Sequence, residues 1–297
     1  MNTRIIPCLL AAVLAAVPGP LQAQPTAHYI PGVEGIQGAT LPPPGFYLRD
    51  YNYFYVADQL NNGAGHNAGP PNFHALTYAN VPRAIWITDT KFLGGNLGVD
   101  ALLPLAYQSV RAGQFDTSSF GIGDFFAEGT LSWHPKQFDF SAGCGLWMPT
   151  GNSAKQPTTR IGSGFWTPML TAGATWYPDA AKTWSLSALS RYEFNTEDRD
   201  THDTPGQAYT LEWGLGKSLS KTITCGLAGY YQQKTTADTG SDHPQLKQDD
   251  RVAAVGPEIS VAIPSAMLFV SCRYEYEFMA DSRAQGHTVT LTLTKRF

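Results

Sequence analysis

Charge is scarce in this chain. Asp, Glu, Lys and Arg make up 15% of its 297 residues, where a soluble domain usually carries about 25%. The balance of 20 basic and 24 acidic side chains is −4, which argues against nucleic acid as a partner. Long apolar runs are missing too. Beyond the first two dozen residues nothing approaches the ~18 consecutive apolar residues of a membrane-spanning helix, and no helical periodicity of useful length appears. Cysteine is sparse and lacks CxxC or metal-ligand spacing. Cys144, Cys225 and Cys272 lie in the body of the chain and are expected to be free, buried thiols. No G-x-S-x-G motif is present. The histidines (His28, His66, His74, His134, His202, His243 and His287) fall mostly in loops, turns or the leading segment, away from any obvious nucleophile. The expectation is a protein that is not an enzyme and needs no cofactor.

Aromatics and glycine, by contrast, are abundant: Phe, Trp and Tyr are 12% of the chain, with 29 glycines. Low charge with many aromatics suits strands that face lipid, with aromatic girdles at the interfaces. The first residues give a secretory leader: Arg4, an apolar core over 8–17, helix-breaking Pro18-Gly19-Pro20, and Ala23 before the expected cleavage point. The other end is a strictly alternating strand. Val289, Leu291, Leu293 and Phe297 fall on one face; Thr288, Thr290, Thr292, Thr294 and Arg296 on the other. A terminal aromatic on such a strand resembles the signal read by outer-membrane barrel-insertion machinery, so Phe297 is assigned to that partner.

Strands are expected near 46–58, 82–93, 96–108, 119–133, 137–149, 164–177, 183–196, 207–218, 221–234, 250–262, 266–278 and 287–297. Links between them alternate between short ones, such as Gly94-Gly95 and Leu219-Ser220, and longer polar ones at 59–81, 109–118, 150–163, 197–206, 235–249 and 279–286. Alternation of tight periplasmic turns with longer extracellular loops marks an outer-membrane barrel. The fold class is therefore all-β, a transmembrane antiparallel up-and-down barrel of about 12 strands. Its divisions are a signal peptide at 1–23, a periplasmic or plug segment at 24–45, and the barrel at 46–297.

Alternation assigns the charged side chains to the inner wall, because a charge facing lipid near the midplane costs up to a few kcal/mol. The candidate permeation residues are Asp50, Asp124, Glu128, Arg191, Glu193, Glu212, Glu258, Arg273, Glu275 and Glu277. They could line a pore or fill the interior as a paired network. Asp100 also reads as inward. Segment 24–45 cannot be a strand, since Pro31 and Pro42-Pro43-Pro44 remove ladder donors. Tyr29, Ile30, Val33 and Ile36 give it something to bury in the lumen. Asp198, Asp200 and Asp203 could ligate a hard cation, but a solvated acidic loop is the favoured reading. Pro104, Pro168 and Pro257 could weaken the wall or mark harmless bulges, the latter being favoured.

His28-Tyr29-Ile30-Pro31-Gly32, Leu41-Pro42-Pro43-Pro44-Gly45-Phe46-Tyr47, Gly121-Ile122-Gly123-Asp124, Thr175-Trp176-Tyr177-Pro178-Asp179, Arg191-Tyr192-Glu193-Phe194-Asn195, Glu212-Trp213-Gly214 and Gly256-Pro257-Glu258 resemble the outer-membrane family named for the meta-pathway of phenol degradation. The resemblance implies a bacterial outer-membrane barrel associated with uptake of aromatic or other hydrophobic compounds. It carries no substrate-binding motif onto individual residues. The expected function is a passive channel for small molecules, with lipid and solute as partners. The alternatives are a sealed barrel acting through its extracellular loops, and, after that, a lipid-modifying enzyme.

Overall fold

The computed structural model describes residues 27–152, 160–240 and 250–297; the expected leader lies outside them. Strands are β1 Gly45–Leu60, β2 His74–Phe92, β3 Gly95–Leu102, β4 Leu105–Ala112, β5 Phe115–Ile122, β6 Phe125–Trp133 and β7 Phe138–Met148, then β8 Thr167–Trp176, β9 Trp184–Glu193, β10 Ala208–Ser218, β11 Ile223–Lys234, β12 Arg251–Ile263, β13 Leu268–Asp281 and β14 Ala284–Arg296. Every pairing among them is antiparallel. β1 pairs with both β2 and β14, so the sheet closes. β2 pairs with β3 and then with β4, and β3 and β4 pair in turn with β6 and β5. Each of these two couples is one long strand interrupted once, which makes the barrel twelve-stranded.

The interruption has a local cause. Pro104 lacks the N–H that would continue the ladder, and across from it the Gly123 N–H turns to the Pro104 carbonyl at 2.8 Å. Of the three prolines singled out from sequence, Pro104 alone separates two strands; Pro168 and Pro257 lie inside β8 and β12. Above the break β5 pairs only with β4 among the described residues, because β7 ends opposite Phe125.

Side chains alternate as a barrel requires. Leu186, Leu227, Ile259, Tyr276, Val289 and Leu291 stand exposed on the outer wall. Aromatics gather at both rims, Phe46, Phe138, Trp176 and Phe297 at one end and Phe54, Trp166, Phe194 and Phe278 at the other. That is the apolar band and double girdle of a lipid-facing barrel. The three cysteines are free, yet Cys144 and Cys272 are exposed and Cys225 is half-buried. The expectation of buried thiols is corrected: they behave as small apolar residues, but on the outward side of β7, β11 and β13.

One end of the barrel, the turn end, carries both strand termini and the short links. The other, the loop end, carries the described residues of 61–73, 149–152, 160–166, 194–207 and 235–240. Two links expected to be long are tight turns instead. β4 and β5 join through Gly113-Gln114, and β13 and β14 through Ser282-Arg283. Gly113 and Ser282 take left-handed φ values of 64° and 56°, as two-residue hairpins need. Polar strand continuing above the apolar band reads as loop from composition alone.

Candidate functional site

Segment 27–44 runs through the interior from the loop end to the turn end. It has no ladder of its own, so its backbone donors need partners from the wall. Inward carboxylates supply them. Glu193 accepts the N–H groups of His28 and Tyr29, both at 3.0 Å. Glu212 accepts those of Gly32 at 2.9 Å and Glu34 at 3.1 Å, and Glu258 that of Ile36 at 3.0 Å. Ser187 takes the Ala39 N–H at 3.1 Å, and Thr40 donates to Asp139 near the turn end at 3.1 Å. At the loop end His28 lies 2.9 Å from Asp124 and stacks on Trp147 at 5.5 Å.

Space for the segment is made by glycine. A Cβ on Gly214 of β10 would lie 2.4 Å from the Ile36 carbonyl oxygen. Gly32 adopts φ +82°, and a Cβ there would meet Glu275 and Tyr230 within 3 Å. The chain touches the wall at contact distance.

The charged cluster at mid-height converges on Glu34 of the segment. Arg83 and Tyr51 each reach its carboxylate at 3.0 Å, Arg49 at 3.2 Å and Arg191 at 3.5 Å. Arg191 also pairs with Glu212 at 2.7 Å and stacks over the Tyr29 ring at 4.1 Å. Arg83 binds Asp100 at 2.9 Å and comes within 3.7 Å of Glu128. A second cation, Arg273, holds Glu258 at 2.9 Å and Glu275 at 3.3 Å and donates to the Gly32 carbonyl. Each charge named in these two clusters thus has a counter-charge within reach, as desolvation demands.

Of the sequence-derived residues, Asp124, Glu128, Arg191, Glu193, Glu212, Glu258, Arg273, Glu275 and Glu277 are buried on the inner wall. The structure brings Glu193, Glu212, Glu258 and Arg273 together around the segment. Glu277 serves the wall instead, accepting Tyr230 at 2.9 Å and Tyr55 at 3.0 Å. Asp50 requires correction. In β1 the lumen side is taken by Tyr47, Arg49, Tyr51 and Tyr53, so Asp50 faces outward between exposed Leu48 and Phe54. There Asn52 and Asn80 donate to it, each at 2.8 Å, and Tyr78 donates to Asn52 at 3.0 Å. The four form a polar chain on the lipid-facing wall that satisfies itself.

Sequence reading missed Glu34, Arg49, Tyr51 and Arg83. In β2 the inward positions are Arg83, Ile85 and Ile87, a mixed set that hides the period-two signal. In the acidic loop, Asp198 turns onto Arg160 and caps the Asp200 N–H at 2.8 Å. Among the described residues no group of three potential metal ligands forms.

Beside the segment a cavity of about 140 Å³ remains. Ile30, Val33, Leu102 and Trp147 give it apolar walls. Its flank is the interrupted ladder, with Pro104 and Gly123, and its two ends are polar, His28 and Asp124 above, Glu34 and Arg83 below.

The fold has counterparts among solved structures. An outer membrane channel, termed COG4313, from Pseudomonas putida F1 superposes with a TM-score of 0.77 at 14% identity, covering 91% of this chain and 100% of that one. The translocator domain of the autotransporter NalP from Neisseria meningitidis gives 0.53 at 12%, covering 88% and 91%. The beta domain of the Bordetella autotransporter BrkA gives 0.51 at 12%, covering 86% and 100%. At these identities the likeness is one of fold. No curated protein matches in sequence. Residues 57–293 match the family model described as "Putative MetA-pathway of phenol degradation", and the chain belongs to that family.

Proposed function

We propose that this protein is an outer-membrane channel for small apolar molecules, single aromatic rings among them, in which segment 27–44 closes the central lumen and the side cavity receives the solute. The side cavity carries the proposal. An apolar cavity of ~150 Å³ engineered into another protein stays dry and binds benzene, and the one here is of that size, with Leu, Ile, Val and Trp in its walls. The outer apolar band and aromatic rims support a seat in the membrane. Short turns belong on the periplasmic side of such barrels, which puts His28 towards the outside and Thr40 towards the periplasm. The solute enters from the loop end or sideways past Pro104. It leaves when the segment shifts from the wall. The likeness to a protein named as an outer membrane channel agrees with this reading.

The filled lumen favours one other reading, a sealed barrel acting through its loops. Uptake of labelled toluene by cells with a lipopolysaccharide outer leaflet separates the two. Expression of the wild type is expected to raise the uptake rate, and Ala106→Trp, which fills the cavity from β4, to return it to the level of cells lacking the protein. No increase with the wild type, despite verified insertion, would support the sealed barrel.

A further inference from the structure

At its lower end the side cavity meets Glu34, Arg83 and Tyr51. Four wall groups aim donors at the Glu34 carboxylate: Arg83 Nη1 and the Tyr51 hydroxyl at 3.0 Å, Arg49 Nη1 at 3.2 Å and Arg191 Nη2 at 3.5 Å. Arg83 and Tyr51 donate to Oε1 and Arg49 to Oε2, while Arg191 adds an ion pair to Oε1, so both oxygens of the carboxylate are held by the wall. Yet the carboxylate it surrounds belongs to no strand. It is carried on a segment tied to the wall by hydrogen bonds and ion pairs.

The wall cations are not equally served without it. Arg83 has Asp100, and Arg191 has Glu212. Arg49 has no other carboxylate within ion-pair range among the described residues. Removing Glu34 would leave that half-buried guanidinium without a counter-ion, an unfavourable arrangement.

On the basis of the channel reading above, we infer that Arg49, Arg83 and Tyr51 form a carboxylate-binding site that Glu34 occupies in cis, and that the cavity takes small aromatic carboxylates. The ring lies against Ile30, Val33, Leu102 and Trp147, and the solute's carboxylate replaces that of Glu34 on the wall donors. The wall donors keep one carboxylate throughout, and the displaced Glu34 carboxylate moves off with the loosened segment into water or takes up a proton as it leaves. A planar carboxylate also matches the fork of a guanidinium. Displacement removes the ionic anchor of the segment, so the same solute that fills the cavity loosens the closure beside it.

The test is calorimetric titration of the full mature chain in detergent with benzoate and, as the neutral reference, toluene. Glu34→Ala is expected to raise affinity for benzoate at least tenfold relative to toluene, and adding Arg49→Met to return the ratio to the wild-type value. Glu34→Gln, which keeps the packing of the segment, is expected to move the ratio the same way by a smaller factor, and it covers the case in which Glu34→Ala fails to fold. An unchanged ratio in both variants overturns the inference, as does a gain that survives removal of Arg49 and Arg83. If toluene binds but the ratio does not move, only the carboxylate site is refuted. If neither probe binds any form, the cavity reading falls with it.

Discussion

Glu212 Oε1 lies 2.9 Å from the backbone nitrogen of Gly32, joining the middle of the β10 wall to a segment 180 residues earlier in the chain. The same oxygen also accepts the Glu34 N–H. Hydrogen bonds to a charged group contribute about 1.5–3 kcal/mol. Glu212→Gln weakens both and leaves an amide beside Arg191. We expect it to raise the exchange rate of the Gly32 and Glu34 amides with solvent deuterium by roughly ten- to a hundredfold, a change of about 1.4–2.7 kcal/mol in the opening free energy. Unchanged protection would mean that Glu212 does not hold this part of the segment.

Gly214 tests the closure by shape rather than charge. Its missing side chain is what lets the Ile36 carbonyl approach. Gly214→Val puts a branched side chain where backbone now lies. The expected result is a folded, heat-modifiable barrel whose segment is cleaved by added protease under conditions that leave the wild type intact.

The outward chain of Asp50, Asn52, Asn80 and Tyr78 predicts a non-additive series. Asp50→Leu leaves two amides without their shared acceptor in an apolar setting, at about 1–3 kcal/mol. Replacing Asp50, Asn52 and Asn80 together by leucine in a Tyr78→Phe background removes donors and acceptors alike. The single variant is expected to lower the unfolding temperature in detergent and the triple variant to recover it. A triple variant less stable than the single one would refute mutual satisfaction.

A pH effect follows at the turn end. Asp179 accepts the backbone N–H groups of Thr183 at 2.9 Å and Trp184 at 2.8 Å. These bonds hold its pKa below the ordinary 3.8. A depressed folded-state pKa gives a contribution that is present above 3.8 and lost as the pH falls through the lowered value. Protection of the Thr183 and Trp184 amides, measured against intrinsic exchange at each pH, is therefore expected to fall on acidification below that range in the wild type, and to be low at every pH in Asp179→Ala.

Much of this barrel was legible because period-two alternation is a local signal. Arg273, Glu275 and Glu277 opposite Tyr274, Tyr276 and Phe278 can face only one way when one side is lipid. Asp50 was not legible, because β1 carries aromatics on both faces and sets Arg49 and Asp50 side by side, so the two charges fall on opposite faces. The hairpin tips at 113–114 and 282–283 were hidden because strand above the lipid is polar on both sides. The hub at Glu34 was out of reach for another reason. It depends on where an irregular segment lies inside the barrel, and that depends on contacts with strands more than a hundred residues away.

Closure of the lumen by segment 27–44 can be read from single-channel recording in planar bilayers. The wild type and a variant lacking residues 27–40 would be inserted from the same detergent and recorded at the same salt. The wild type is expected to be almost silent and the deletion to give discrete conductance steps. Equal conductance in the two forms, open or silent, would mean that the segment does not close the lumen.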